Sequence, residues 1–591
     1  MASRSKIARD FVAQPAFFTL VAVGIVACAG TDDPPATATG GASGMSQGGS
    51  TSTGGITSGS GGTATGGGTT GGATSGGTGA TGGTQAGTAG MGGSVSAGTG
   101  GTAQAGMGAE GGTTAGGAGT GGSSAGATQG GAGGSSAGMS GAGGMPGSGF
   151  VTCPYTAPAD PTGNNATVGT VRLINNNGAW TWYSDERAII DKAGGKLLVS
   201  SDANAQGPGG SGRDGNVDVV SYDLATNMAS SPFVLGDLAP DDHNNAALLV
   251  KPDGKYLAFW AGHNENCNSY WRNHDGSNWG ASQTFSWSSR GCPFENGRQI
   301  TYNNLWNMTA ENKIYNFVRS VGTSPNVLVS SDNGMTWTYG GRLSSTPTVG
   351  YVAGYYKYWG NNVDRIDFLA TEAHPRDNDN SLYHGYLKGG RTYTSTDMQV
   401  DADISDGTSP QVTAFTRIFQ TGTTIEGQRM HHLWNSDIMR YDDGTIAAIG
   451  MARTGTDTNT PPHSFLYFRF NGTSWSTTYL GEAGTKLYDS EQDYVGLGAV
   501  HPNDPRIVYI STYLDPRNDM NLGEHEIFMG VTCDNGMTFT WTPITWNSSE
   551  DNLRPIVPAW DGNNMVLLWF RGSYQTAQIY NEEVVGIVTR K

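Results

Sequence analysis

The sequence predicts an all-β chain folded as a seven-bladed β-propeller, preceded by a signal peptide and a Gly/Ser/Thr-rich linker. Three observations carry that prediction. First, a turn feeds a strongly apolar strand seven times: KLLVSSD from Lys196, KYLAFWAGH from Lys255, KIYNFVR from Lys313, RIDFLATEAH from Arg365, TIAAIGMAR from Thr445, RIVYISTYL from Arg506 and MVLLWFR from Met565. Successive starts lie 59, 58, 52, 80, 61 and 59 residues apart, the length of a four-stranded blade with one insertion. A β-solenoid is the alternative, but such a unit is long for one coil. Second, SSDNGMTW (Ser330 to Trp337) and the degenerate TCDNGMTF (Thr532 to Phe539) are Asp-box turns, in which a glycine takes the turn conformation and the aromatic packs between sheets. Third, the strand EVVGIVT near the C-terminus is suited to pair with Thr170–Ile174, closing the ring and removing exposed sheet edges.

From the N-terminus, residues 1–28 read as an export signal: basic Arg4, Lys6 and Arg9, then an apolar run ending IVACAG. Ile25-Val26-Ala27-Cys28 resembles a bacterial lipobox, with Cys28 as the lipidated residue. An ordinary secretory signal is the alternative, and Gln14 and Pro15 interrupt the run before it reaches spanning length. Residues 29–150 are almost only Gly, Ser, Thr and Ala. They have nothing large to bury and are expected to form a disordered tether of about 60 Å reach. Residues 151–591 form the propeller domain, the part long enough for a sizeable core. The formal net charge of −17 argues against nucleic acid or an anionic membrane as partner. The only membrane contact expected is through the N-terminal lipid, in an exported, cell-surface or secreted monomer. Besides Cys28, four cysteines remain (Cys153, Cys267, Cys292, Cys533). An even count in an exported domain implies two disulfides, and Cys267 with Cys292, flanking one loop, is the favoured pair.

The candidate site lies in two hairpins between Asp241 and Arg319. His243 and His263 stand about equally far from the turn of DDHNNAALLVKPDGKYLAFWAGHN, and Tyr302 and Arg319 bracket the turn of the next. Residues equidistant from a turn lie side by side, so adjacent blades bring the four to one spot. Asp202, His263, Arg319, His374, Arg453 and Arg571 all end repeated strands and share one face, suited to an anionic, extended ligand. Arg554 and Trp434 complete the expected substrate-binding set, while Trp180, Trp182 and Tyr494 are sugar-stacking candidates for which core packing is the better single reading. No metal-catalytic spacing, nucleophile elbow or phosphate loop stands out. His, His, Tyr and Arg together suit β-elimination from a uronate polysaccharide. Arg neutralises the carboxylate, His near its ordinary pKa is a base, and Tyr protonates the leaving oxygen.

NGAWTWYSDERAI, DDHNNAALLV, SSDNGMTW, EAHPRDNDNSLYH, HEIFMGVTCDNGMTFTW and DNLRPIVPAW, in that order over residues 168–591, resemble the BNR-repeat propeller lyases, which include ulvan lyases and rhamnose–glucuronate lyases. The resemblance implies Tyr302 as acid and syn base, and His243 as base for the other uronate epimer. His263 and Arg319 would bind the carboxylate. The Tyr302 to Arg319 interval is a residue longer than the family leads one to expect. The resemblance implies no cofactor for catalysis and allows a structural calcium or zinc, for which RDNDNSLYH offers Asp377, Asp379 and His384 without a nearby Cys; a solvated turn is the favoured reading of that stretch. A glycan-binding propeller without turnover and a sialidase-like hydrolase are the competing functions. Substrate selection is expected from loops within the long insertion, such as residues 385–420.

Overall fold

Seven antiparallel sheets of four or more strands follow one another along the chain in a computed structural model that describes residues 151–590, apart from 295–296, 346–353 and 457–458. Cys28, the signal over residues 1–28 and the linker over 29–150 lie outside the described residues. Blade 1 is built on Ala188–Asp191, Lys196–Asp202 and Asn216–Asp223, its outer edge shared by Met228–Ala229 and Phe233–Asp237. Blade 2 comprises Ala247–Val250, Tyr256–Ala261, Asn268–Asn273 and Gln283–Ser286, and blade 3 Thr301–Met308, Lys313–Arg319, Pro325–Ser330 and Thr338–Arg342. Blade 5 runs from His431–Arg440 to Trp475–Gly484, and blade 6 from Gly498–Val500 to Thr540–Pro543. Blade 7 pairs Asp551–Ile556, Asn564–Thr576 and Ile579–Arg590 with the early strand Val171–Asn175, in the register Val171↔Ile587. The expected ring closure is therefore made by the two ends of the domain.

The repeated apolar strands are the second strands of their blades, buried on both faces, which is why they read as continuous hydrophobic runs rather than alternating ones. The segment that enters blade 1 stitches the next two blades to it: the Glu186 carbonyl accepts from Leu248 N–H of blade 2 (2.8 Å) and the Asp185 carbonyl from Leu305 N–H of blade 3 (2.8 Å). Both Asp-boxes form. Gly334 (φ 81°) and Gly536 (φ 89°) occupy left-handed backbone, and each N–H reaches the hydroxyl of Ser330 or Thr532 at 2.8 Å. Thr532 thus keeps the bond that makes the degenerate box work. Trp337 packs edge-on against Phe259 of blade 2, and Phe539 against Tyr467 of blade 5, each joining its blade to the preceding one.

Two disulfides are present, Cys267–Cys292 and Cys153–Cys533. The second ties the start of the domain to blade 6. The long insertion is a correction: it is not a loop over residues 385–420. Blade 4 starts with Tyr356–Gly360, Ile366–Thr371 and Leu382–Lys388. It then adds Arg391–Thr394 and Gln399–Asp401, and Thr416–Phe419 pairs back onto Leu382–Lys388. The extra residues extend the sheet.

Candidate functional site

The mouth of blades 2 and 3 gathers the four residues the hairpins pointed to. His243 sits in the short turn Asp242–Asn244 that enters blade 2, with Asp241 capping the turn. His263 follows the second strand, Tyr256–Ala261, and the two imidazoles stack at 4.0 Å between centroids and 15° between planes. Tyr302 lies 5.8 Å from the His243 ring and 6.4 Å from that of His263. The guanidinium of Arg319 stands 4.8 Å over the Tyr302 ring.

The position of Tyr302 depends on a bulge. Arg319 pairs with Thr301, the register shifts before Asn304, and Tyr302 adopts φ 64°. The segment 301–304 thus carries one more residue than the segment 317–319 opposite. Such bulges re-aim a side chain, and a non-glycine residue held in left-handed backbone costs of order 1–3 kcal/mol, a conformation concentrated at functional sites. Tyr302, Arg319, Tyr183 and Tyr355 line one cavity between blades 3 and 4. Arg319 donates to the Tyr355 hydroxyl (3.1 Å) and to Thr301 Oγ1 (3.2 Å), and Tyr355 meets His374 Nε2 at 3.3 Å.

One carboxylate organises the histidines. Asp241 Oδ1 accepts from His243 N–H (3.0 Å) and Nδ1 (2.6 Å), and Oδ2 from His263 Nδ1 (3.0 Å) and Gln578 Nε2 (2.5 Å). His243 Nε2 meets the Tyr494 hydroxyl at 3.0 Å. Burial alone would lower the His243 pKa, but the carboxylates of Asp241 and Asp242 outweigh it and hold the imidazole well above its ordinary value. Burial would likewise raise the Asp241 carboxyl, yet His263 and His243 keep it below the usual carboxylate range. Beneath this layer Asp242 Oδ2 takes Arg554 Nη1 (2.5 Å) and the Tyr574 hydroxyl (2.6 Å).

The remaining expected binding residues divide. His374 joins the site through Tyr355. Arg554 is 1% exposed, spent on Asp242 and the Trp180 carbonyl (2.6 Å), and so stands below the site rather than in it. Arg453 is buried on Asp493, which also accepts from Trp434 Nε1 (2.9 Å) and meets His463 Nε2 (2.8 Å). Arg571 pairs with Glu583 across blade 7. Trp434, Trp180, Trp182 and Tyr494 are core residues with at most 6% exposure, so stacking on a sugar falls to none of them. The metal expectation is corrected as well. Asp379 bonds Arg429 (2.9 Å) and the His432 N–H (3.1 Å), Asp377 pairs with Arg376, and His384 is fully buried between Asp367 (3.1 Å) and Ser395 (2.8 Å). The three do not converge and do not fit a metal. Among the described residues, the trio whose ligand atoms all lie within 4.8 Å of one another is Asp241, His243 and His263.

Sequence reasoning missed Asp241, Tyr355 and Gln578. A signal existed for the first two: Asp241 precedes the histidine in DDHNN, and an aromatic or histidine enters the first strand of blade after blade (Tyr183, His243, Tyr302, Tyr355, Trp434, Tyr494). Gln578 carries none.

Residues 211–483 match the model of BNR repeat-containing family members. No curated protein matches the chain. Among solved structures, the chain is similar to an ulvan lyase of a new polysaccharide lyase family, solved bound to -[GlcA(1-4)Rha3S]-, at 14% identity and a TM-score of 0.50 over 71% of this chain and 95% of that one. It is also similar to the polysaccharide lyase Uly1, at 10% identity and a TM-score of 0.43 over 72% and 99%. At such identities the likeness is one of fold. The seven sheets and the paired Asp-boxes make this chain a seven-bladed propeller, similar in fold to an ulvan lyase and matching the BNR repeat-containing family model over residues 211–483.

Proposed function

We propose that the protein is a polysaccharide lyase that cleaves a uronate-containing polysaccharide of the rhamnose–glucuronate or iduronate type by β-elimination. The observation that carries this reading is the Arg319 guanidinium 4.8 Å over the Tyr302 ring, which lies 5.8 and 6.4 Å from the stacked rings of His243 and His263. Cationic groups around a phenol suit a substrate whose carboxylate must be neutralised before its C5 proton can leave. The fold shared with the ulvan lyase supports the same class.

In this mechanism Arg319 and His263 bind the uronate carboxylate. Tyr302, acting as the phenolate, takes the C5 proton; the C5–H electron pair forms the C4=C5 double bond, the C4–O4 bond breaks with its pair on O4, and the same proton passes from the Tyr302 hydroxyl to O4, restoring the phenolate. Cationic groups around Tyr302 stabilise its phenolate, and those that bind the carboxylate stabilise the negative charge that builds there as C5–H breaks. His243, held as an imidazolium by Asp241 and Asp242, has no lone pair with which to accept a proton. It therefore belongs to the carboxylate-neutralising side rather than to the base role its ordinary pKa suggests. No cofactor enters these steps. The two disulfides support an exported protein, acting on the polymer as a monomer at the cell surface through lipidated Cys28 or after secretion.

Incubating the protein with ulvan, gum arabic side chains and other glucuronate polymers tests the reading. An unsaturated, ultraviolet-absorbing product from wild type and none from Tyr302→Phe is expected. Binding without product from any acidic polysaccharide would instead identify a glycan-binding propeller, and free sugar without a double bond a hydrolase.

A further inference from the structure

We propose that Asp241 is the positioning residue of the site, a two-pronged clamp that fixes both histidines, and that the closing blade holds it through Gln578. The inference rests on the lyase reading for its catalytic consequence, though not for its geometry.

Each carboxylate oxygen of Asp241 takes one imidazole: Oδ1 the Nδ1 of His243 at 2.6 Å, Oδ2 that of His263 at 3.0 Å. A ring bonded this way has its proton on Nδ1 and its orientation fixed. Two rings held by the two prongs of one planar group come to lie nearly parallel, as the 4.0 Å, 15° stack requires. Stacked imidazoles gain no mutual attraction when charged, so an anion between their Nδ1 atoms is what makes the arrangement stable. Ligand atoms this close would also suit a divalent cation, but one proton per Nδ1 already accounts for the contacts, that of His243 lying between Asp241 Oδ1 and Asp242 Oδ1 (2.7 Å).

The clamp is held from the closing blade. Gln578 lies between the last two strands of blade 7 and donates to Oδ2 at 2.5 Å. Beside it, the Ala577 carbonyl accepts from Asp242 N–H (2.8 Å), and the Gln578 carbonyl accepts from Asn204 Nδ2 of the blade 1 loop (2.7 Å). That blade is completed only when Val171–Asn175 joins it. Closing the ring and ordering the two histidines are thus one event, with the closing blade supplying a donor to the clamp.

The test is proton NMR of the histidine Nδ1–H signals in the propeller-bearing protein, together with kinetics on a glucuronate polymer. Wild type is expected to show two strongly downfield Nδ1–H resonances at neutral pH. Asp241→Asn, which removes one acceptor oxygen, is expected to abolish at least one of them and to lower kcat by about a hundredfold with little change in KM, the scale on which residues that orient catalytic groups act. Gln578→Ala changes a half-buried side chain and keeps the test open if Asp241→Asn does not fold. It is expected to shift the His263 resonance, leave that of His243 in place, and lower kcat severalfold. Resonances unmoved in both variants would overturn the clamp. So would one equivalent of zinc chloride removing both signals by tight binding, because the trio would then be a metal site. A wild type with no turnover would sink the lyase reading while the resonances still decided the clamp.

Discussion

Two regions of this propeller look alike in composition and differ in what they leave open. Around Asp241 stand two histidines, a tyrosine and an arginine. Around Asp493 stand an arginine, a histidine and a tryptophan. At Asp493 every charge closes on itself: Arg453 binds both carboxylate oxygens, His463 and Trp434 complete the shell, and all four residues are at most 6% exposed. At Asp241 the carboxylate restrains two imidazoles that stand beside Tyr302 and Arg319, and these two line a cavity. An Arg or His at a strand end therefore says little until its carboxylate is located. A cluster that neutralises itself holds blades together, whereas one that leaves cations facing a cavity is equipped for an anion.

Substitutions should separate the two regions. The largest effect is expected at Tyr302: removing the hydroxyl in Tyr302→Phe should lower kcat about a thousandfold, the scale of general acid–base catalysis, with thermal stability nearly unchanged. Arg453→Ala should do the reverse. It strips a buried carboxylate of its main partner and should cost about 3 kcal/mol in denaturant unfolding, while the folded fraction keeps its kcat. Equal loss of activity and stability in both variants would erase the distinction between the regions.

A subtler contrast is pH dependence. His243 is raised, so its contribution to stability is complete below the unfolded histidine pKa and is lost as pH rises through the higher folded value. Asp241 is depressed, so its contribution is complete above the unfolded carboxyl pKa and is lost as pH falls through the lower folded value. The melting-temperature gap between wild type and Asp241→Asn should therefore be widest between about pH 4 and 6.5. It should narrow on the alkaline side as His243 loses its proton. A gap that grows with alkalinity would contradict the assignment of an imidazolium. The smallest effect is expected at Arg571→Ala, whose pairing with Glu583 is a third exposed. Unfolding should register about 0.5 kcal/mol, as for other surface pairs.

Much of this was legible in the sequence because it was local or periodic. The spacing of the apolar strands revealed the blades, the match of EVVGIVT to the early strand anticipated closure, and the two cysteines flanking one loop formed the expected disulfide. The hairpins placed His243, His263, Tyr302 and Arg319 because each pair is separated by a single turn. What stayed hidden was remote in sequence. Arg554 reads as a binding residue until Asp242, 312 positions away, is seen to hold it, and Gln578 reaches Asp241 over 337 positions. Arg453 and Trp434 were misread for the same reason: the burial that makes them structural comes from Asp493 and neighbouring sheets, which no local pattern encodes.

The central claim is that this site eliminates rather than hydrolyses. Cleavage of a glucuronate polymer in water enriched in heavy oxygen tests it most directly, because elimination draws no oxygen from solvent and hydrolysis adds one at each cut. Mass spectra of the new ends should show unsaturated uronate and no heavy oxygen, with both cleavage and product lost in Tyr302→Phe. Heavy oxygen incorporated at the new ends, with no double bond, would contradict the account.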